Sequence, residues 1–504
     1  MKQIQHVGIV GAGAMGRGIA QIAAQAGLRV SMYDAAPTAL ASAREFLQQT
    51  WEKLVQRGKL DAAQAAAALE AIEPCEDLSA LRECDLVIEA IVERLDAKQN
   101  LFRQLEDIVS SECILASNTS SLSITAIASA CARPSRVAGY HFFNPVPLMK
   151  VVEVVDGLRS DPAVGDALAE LARRMGHTPV RAKDMPGFIV NHAGRGLNTE
   201  GLRVLQEGVA TCAQVDAIMT EQAGFKMGPF ELMDLTGLDV SHPVMESIYT
   251  QFFDEPRFRP SPVTTVRLAG GLLGRKTGQG FYTYVDGKKQ VQPETPRPSV
   301  TPLPEVWVSP VRPDARAAVV ELLLGMEARV QDGPHPGDDA LIVVTPYGED
   351  ATTAACDQGL DARRTVAVDT LHGLPVGRRR TLMATPLTES RWLDAAAAQF
   401  SADGAPVTVI QDSPGFVAQR IVATIVNIAC EIAQQRIATP ADIDQAVRLG
   451  LGYPQGPLAM GDALGAARIV EILRNLVRVT GDMRYRPSLW LQRRAQLGMS
   501  LLAG

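Results

Sequence analysis

The sequence predicts an α/β domain with a parallel, doubly wound sheet, then an all-α domain, a degenerate α/β segment and a second copy of the helical domain. Three observations carry this expectation. Short apolar runs alternate with helical patterns over the first ~180 residues, the signature of strands joined by crossover helices. From about Pro186 the strand signals stop and helical periodicity takes over. Two motifs then recur at one offset of 228 residues: "KDMPGFIVN" at 183–191 returns as "QDSPGFVAQ" at 411–419, and "GFKMGPFELMD" at 224–234 as "GYPQGPLAMGD" at 452–462. A chance Pro-Gly helix entry would not hold register across two anchors, so the repeat reads as an internal duplication.

Taken in order, the strands are expected at "HVGIVG", "RVSMYD", "CDLVIEAI", "CILASN", "RVAGYHFF", "KVVEVV" and "TPVRA", within a domain of residues 1–185. Residues 186–285, with "NTEGLRVLQEGVA" and "CAQVDAIMTEQAG", form the helical domain. The polar, proline-rich stretch 286–302 suits a linker. Residues 303–411 carry further strand signals ("DALIVVTP", "RTVAVDT", "RTLMATP"), and 412–504 make the second helical copy.

A chain of 504 residues exceeds one hydrophobic core. Its formal net charge of -7 argues against a nucleic-acid or anionic-membrane partner. Seven scattered cysteines without a CxxC pair read as reduced, buried thiols of a cytoplasmic protein with no structural metal. The N-terminus enters a strand at once, so neither a leader nor a membrane span is expected.

Chemistry first shows in "VGIVGAGAMGRGIA". Gly11 permits the tight turn, Gly13 the close approach of a pyrophosphate, and Gly16 the packing of helix on strand. Ala14 and Met15 open that helix, whose N-terminus faces the phosphates with partial positive charge. The next strand ends at Asp34, 18 residues after Gly16. A carboxylate there accepts from both ribose hydroxyls and repels a 2′-phosphate, so this Rossmann-like domain is expected to take NAD in preference to NADP. FAD is the chemical rival, and a fold that has lost its cofactor is the bland alternative.

Ligands of such a sheet lie beyond the carboxyl ends of its strands. Ser120, His141 and Asn144 all fall there. Glu153 sits inside the apolar strand "KVVEVV", where an unpaired carboxylate costs several kcal/mol, and His141 is its obvious partner. A histidine held through one ring nitrogen keeps the other free as a base, which is what hydroxyl oxidation requires. The bland alternatives are a backbone-satisfied core histidine, a helix cap for Ser120 and a turn initiator for Asn144.

The segments "ILASNTSSLSITAIA", "AGYHFFNPVPLMKVVEVV", "DMPGFIVN", "MGPFELMD" and "GRKTGQGFY" together resemble the (S)-3-hydroxyacyl-CoA dehydrogenases over about residues 1–285. The resemblance implies His141 as general base, Glu153 as its orienting partner, and Ser120 and Asn191 as donors to the substrate oxygens. It also implies Glu93, Lys98, Asn144 and Lys276 near the nicotinamide and its ribose, and Thr50 and Arg57 at the CoA. The nearby Arg44, Lys53 and Lys59 are candidates to assist with the phosphates, with a solvated face as the favoured reading. The chain departs from the family after Asn191, where "HAGRGLNTEG" replaces bulky aliphatics and alters the expected acyl pocket. The long form with a duplicated tail resembles enzymes of phenylacetate catabolism, whose substrate is dicarboxylic (3-hydroxyadipyl-CoA), beside the plain short-chain alternative.

At the 228-residue offset His141 meets Asp369, Glu153 meets Thr381 and Asn191 meets Gln419, and no GxGxxG precedes this half. The second copy is therefore expected to be catalytically empty, a built-in partner that makes the chain a monomer with an internal pseudo-dimer, or else a homodimer. Two rivals stand beside the acyl-CoA reading: a sugar-acid dehydrogenase of similar build, and a non-catalytic protein on this scaffold.

Overall fold

β-Branched and aliphatic runs bounded by turn residues become the strands of an eight-stranded sheet in the computed structural model, which describes residues 3–290 and 300–504. The strands are β1 (His6–Val10), β2 (Arg29–Tyr33), β3 (Ile72–Cys75), β4 (Leu86–Glu89), β5 (Ile114–Ser117), β6 (Val137–Phe142), β7 (Val151–Asp156) and β8 (Thr178–Lys183). Their order is β3-β2-β1-β4-β5-β6-β7-β8, which places the topological switch between β2–β1 and β4. Two features depart from the sequence reading. β3, "IEPC", carries no apolar run; it is an edge strand with only its end residues buried, so it needs no continuous hydrophobic stretch. β7 runs antiparallel to β6, and β8 parallel to β7, because the short turn after Phe142 leaves no room for a crossover helix.

The helices α1 (Ala14–Gln25) and α2 (Pro37–Gln56) follow β1 and β2. Their apolar faces join Val7, Ile9, Val30, Leu86 and Ile114 in the core of this domain. The chain divides into two units. The first is residues 1–192 with 435–452 and Gly504; the second is 193–434 with 453–503. A segment of the second copy thus belongs to the first unit. There the helix Pro440–Leu451 packs on β7 and β8, and Lys183 N–H donates to Ile437 O at 2.8 Å, capping the sheet edge.

The second unit contains a hairpin, β9 (Thr283–Val285) with β10 (Lys288–Gln290), and a six-stranded sheet. That sheet comprises β11 (Val306–Val308), β12 (Val330–Gln331), β13 (Leu341–Val344), β14 (Thr365–Val368), β15 (Arg380–Ala384) and β16 (Val407–Ile410), in the order β12-β11-β13-β14-β15-β16. Its β14/β15 pair is antiparallel and β15/β16 parallel, the pattern of β6, β7 and β8. The equivalent helices of the two copies, Arg195–Gln206 and Ala418–Gln434, lie against each other. Most of the expected linker, 291–299, lies outside the described residues.

None of the seven cysteines is in a disulfide; five are buried, Cys212 is half-buried and Cys356 exposed, which corrects the expectation that all are buried. Burial pushes the Cys84 and Cys113 thiols up to about 12, so they are inert at neutral pH. Among the described residues no helix is long and apolar enough to cross a membrane.

Candidate active site

The site grows from the carboxyl ends of β1, β4, β5 and β6. After β1 the chain turns at Gly11 (φ 107), a left-handed conformation that favours glycine. A Cβ on Gly16 would lie 1.8 Å from Gly11 O, so strand and helix could not meet with any larger residue. A Cβ on Gly13 would meet nothing within 4 Å, leaving open space at the N-terminus of α1, and no acidic residue occupies the first turn that Ala14 and Met15 begin. The Asp34 carboxyl borders this turn, accepting from Ala12 N–H at 2.7 Å and from Ala36 N–H at 2.8 Å. Such a cradle, with free helix N–H groups and a flanking carboxylate, fits NAD.

His141 and Glu153 are direct partners across the antiparallel β6/β7 register. The His141 side chain is 6% exposed and that of Glu153 0%. His141 Nδ1 lies 2.6 Å from Glu153 Oε2, and the other oxygen, Oε1, accepts from Ile189 N–H (2.9 Å) and Val190 N–H (2.8 Å). Those amides come from the "DMPGFIVN" turn, where Gly187 (φ 74) and Phe188 (φ 47) are both left-handed. A neutral imidazole donating through Nδ1 carries its lone pair at Nε2. Phe143 packs on the ring, centroids 4.4 Å apart.

Ser120 follows β5 half-buried; its N–H donates to Glu93 Oε1 at 3.0 Å, and its carbonyl accepts from Asn191 Nδ2 at 3.5 Å. It does not cap the following helix: Ser123 does, accepting from Ala126 N–H. Glu93 also accepts from Thr119 and Ser121 hydroxyls and pairs with Lys98 at 3.2 Å. Burial alone would raise its carboxyl, but Lys98, Thr119 and the Ser120 amide outweigh burial and hold it below the usual carboxylate range. Sequence reasoning missed Glu89, at the end of β4. It is fully buried, pairs with Lys98 at 2.5 Å and accepts from Ser117 Oγ (2.6 Å) and Ile91 N–H (2.7 Å). The signal was present: "DLVIE" places a carboxylate in an apolar run, as "VVEVV" does.

Other expected residues scatter. Asn144 is exposed just after β6. Thr50 lies on α2, its hydroxyl donating to Phe46 O, and Arg57 is exposed at that helix's end. Arg44 is engaged structurally, donating to Ile72 O. Lys276 belongs to the second unit, where its ammonium pairs with Asp239.

In the second copy the aligned positions are filled by a closed polar network. Gln419 Nε2 donates to Asp369 Oδ1 (2.9 Å), Gln222 Nε2 to Asp369 Oδ2 (3.0 Å), and Thr381 Oγ1 to Gln222 Oε1 (2.6 Å). After β11 the chain reads "SPVRPD" in place of the glycine-rich turn, and the Arg312 guanidinium lies over the Tyr347 ring at 4.5 Å.

Residues 6–185 match the NAD-binding domain family of 3-hydroxyacyl-CoA dehydrogenase, and residues 187–284 and 415–500 each match its C-terminal domain. The chain is 39% identical, over 99% of its length and 98% of the relative's, to a 3-hydroxyadipyl-CoA dehydrogenase of Escherichia coli. It is 42% identical over 55% of its length, and 99% of the relative's, to a probable 3-hydroxybutyryl-CoA dehydrogenase of Deinococcus radiodurans. A crystal structure of a 3-hydroxybutyryl-CoA dehydrogenase from Escherichia coli superposes with a TM-score of 0.87 at 37% identity, covering 98% of this chain and 99% of that one. With a glycine cradle, a flanking aspartate and matches spanning both copies, the chain belongs to the 3-hydroxyacyl-CoA dehydrogenase family and is an NAD-dependent oxidoreductase.

Proposed function

We propose that the chain oxidises the 3-hydroxyl of a short or dicarboxylic (S)-3-hydroxyacyl-CoA to the 3-oxo thioester, with His141 as general base and Glu153 as its orienting partner. The observation that carries the proposal is the buried 2.6 Å contact between His141 Nδ1 and Glu153 Oε2, with the second carboxyl oxygen tied to two amides. Glu153 cannot swing away without losing both, so it fixes the ring and its tautomer, and Nε2 takes the hydroxyl proton. NAD, held by the Gly11–Gly16 turn and Asp34, supplies the hydride acceptor. In the same proposal Ser120 and Asn191 donate to the substrate oxygens. Glu93, Lys98 and Asn144 border the nicotinamide and its ribose, and Thr50 and Arg57 bind the CoA. The names of similar proteins, 3-hydroxyadipyl-CoA and 3-hydroxybutyryl-CoA dehydrogenase, support both acyl classes.

The test is NADH release from 3-hydroxyadipyl-CoA, 3-hydroxybutyryl-CoA and an aldonate by the wild-type protein and by His141→Gln. Turnover of the acyl-CoAs alone is expected, with kcat down ~10²–10⁴-fold in the variant and NADH affinity unchanged. Turnover of the aldonate, or near-wild-type activity in His141→Gln, overturns the reading.

A further inference from the structure

The catalytic residues lie in one copy, yet the helix packed on their sheet comes from the other. Pro440–Leu451 covers β7 and β8, with Asp442 accepting a backbone hydrogen bond from Arg181 and Ile437 O one from Lys183. The second sheet is completed in the same way by the first copy. Gln411 N–H donates to Val209 O at 3.0 Å, and Gln214 Nε2 to Val409 O at 3.4 Å, each related to its counterpart by the 228-residue offset. The copies have exchanged a helix, and the exchange brings different residues to the two sheets.

On the second sheet the exchanged segment contributes Gln222, whose amide bonds to Asp369 and Thr381, the residues aligned with His141 and Glu153. On the first sheet the aligned residue is Gly450, one residue before the end of its helix, where glycine is intrinsically unfavourable. A Cβ on Gly450 would lie 3.0 Å from both γ carbons of Val190 and 3.6 Å from Val151 Cγ1. Val190 is the residue whose N–H holds Glu153 Oε1 at 2.8 Å. In the second copy Ala418 stands in place of Val190, so each sheet pairs one small residue with one larger one: Gly450 with Val190, and Ala418 with Gln222.

We propose that Gly450 is a positioning residue of the active site. The missing side chain lets Val190 seat Glu153 and keeps a competing amide away from the His141–Glu153 pair. The catalytically empty copy then lends part of the site it lacks. This inference rests on the His141–Glu153 reading above.

It is tested in the full-length chain with Gly450→Leu, Gly450→Gln, and Gly450→Leu combined with Val190→Ala. Displacing a catalytic group by ~1 Å lowers rates by ~10²-fold, so kcat is expected to fall by about that much in both single variants, with KM for NAD and NADH affinity unchanged. The added Val190→Ala makes room for the leucine and is expected to restore most of kcat. A second readout needs no substrate: in 15N-histidine-labelled protein, the Nδ1 resonance that disappears in His141→Gln is expected to shift in Gly450→Leu and return in the double variant. If neither large variant folds, Gly450→Ala presses one methyl on Val190, and a shifted His141 resonance with lowered kcat supports the proposal. An unmoved resonance with wild-type kcat in any folded single variant overturns it, as does a loss of kcat that Val190→Ala leaves in place. If the wild-type chain oxidises no 3-hydroxyacyl-CoA, the base reading fails, and the histidine resonance alone still decides the positioning.

Discussion

Glu89 and Lys98 are 0% and 1% exposed, an ion pair taken wholly out of water beside the proposed nicotinamide site. Removing one partner of such a pair strands the other charge, at a cost of ~3–5 kcal/mol. Glu93 remains 3.2 Å from Lys98 in that event. Glu89→Ala is therefore expected at the lower end, about 3 kcal/mol, seen as a lower urea midpoint with unchanged m-value. An unchanged midpoint would mean that Glu93 alone neutralises the ammonium. Glu153 differs in kind, because its oxygens are shared between a histidine ring and two amides.

At the scale of elements, carboxylates do the joining. Asp216 caps the helix Pro229–Thr236, accepting from Phe230 N–H (3.0 Å), Glu231 N–H (2.9 Å) and Tyr282 OH (2.8 Å). Burial pushes its carboxyl up to about 6, against the pull of those hydrogen bonds. Because the folded value lies above the unfolded one of 3.8, the folded state binds the proton first. The group's stabilising contribution is full below about 4 and is lost as pH rises through about 6, a change of about 3 kcal/mol. The wild-type Tm is accordingly expected to fall relative to Asp216→Asn between pH 4 and pH 7; a constant difference would show that Asp216 titrates at its ordinary value. The "PGF" turns show the same economy: Phe416 (φ 51) repeats the left-handed backbone of Phe188 although Thr381 has replaced the glutamate. That turn is thus an inherited piece of fold, which the first copy also uses to hold a carboxyl group.

Within the second unit, the two helical copies meet around buried charge. Arg420 pairs with Glu200 at 2.7 Å and Glu207 at 2.8 Å and donates to Tyr485 OH at 3.0 Å, while a Cβ on Gly196 would come 3.0 Å from Ile425 Cα. Burial opposes the Arg420 charge, but Tyr485, Glu200 and Glu207 outweigh it and raise the group well above its ordinary value. Arg420→Ala leaves Glu200 buried without this partner and is expected to cost ~3–5 kcal/mol of stability by urea denaturation. A loss under about 1 kcal/mol, the range of an exposed pair, would contradict that. We propose that this contact stands in for a subunit interface and lets the chain act as a monomer; a light-scattering mass of one chain is expected, and a dimer mass overturns it.

The sequence by itself determined what local pattern can carry: the glycine turn and Asp34, the succession of Ser120, His141 and Glu153 along neighbouring strands, and the duplication at 228 residues. These are legible because a nucleotide turn and a buried acid each leave a residue type where propensity alone would not put it. The edge strand β3 and the exchange of helices between copies were decided only by tertiary structure. Each depends on which distant segment covers a surface, and a residue's pattern records that it is buried without recording by whom. Gly450 is the sharpest case: as sequence it is a glycine near a helix end, and it acquires meaning only when Val190 lies 3.0 Å from where its side chain would be.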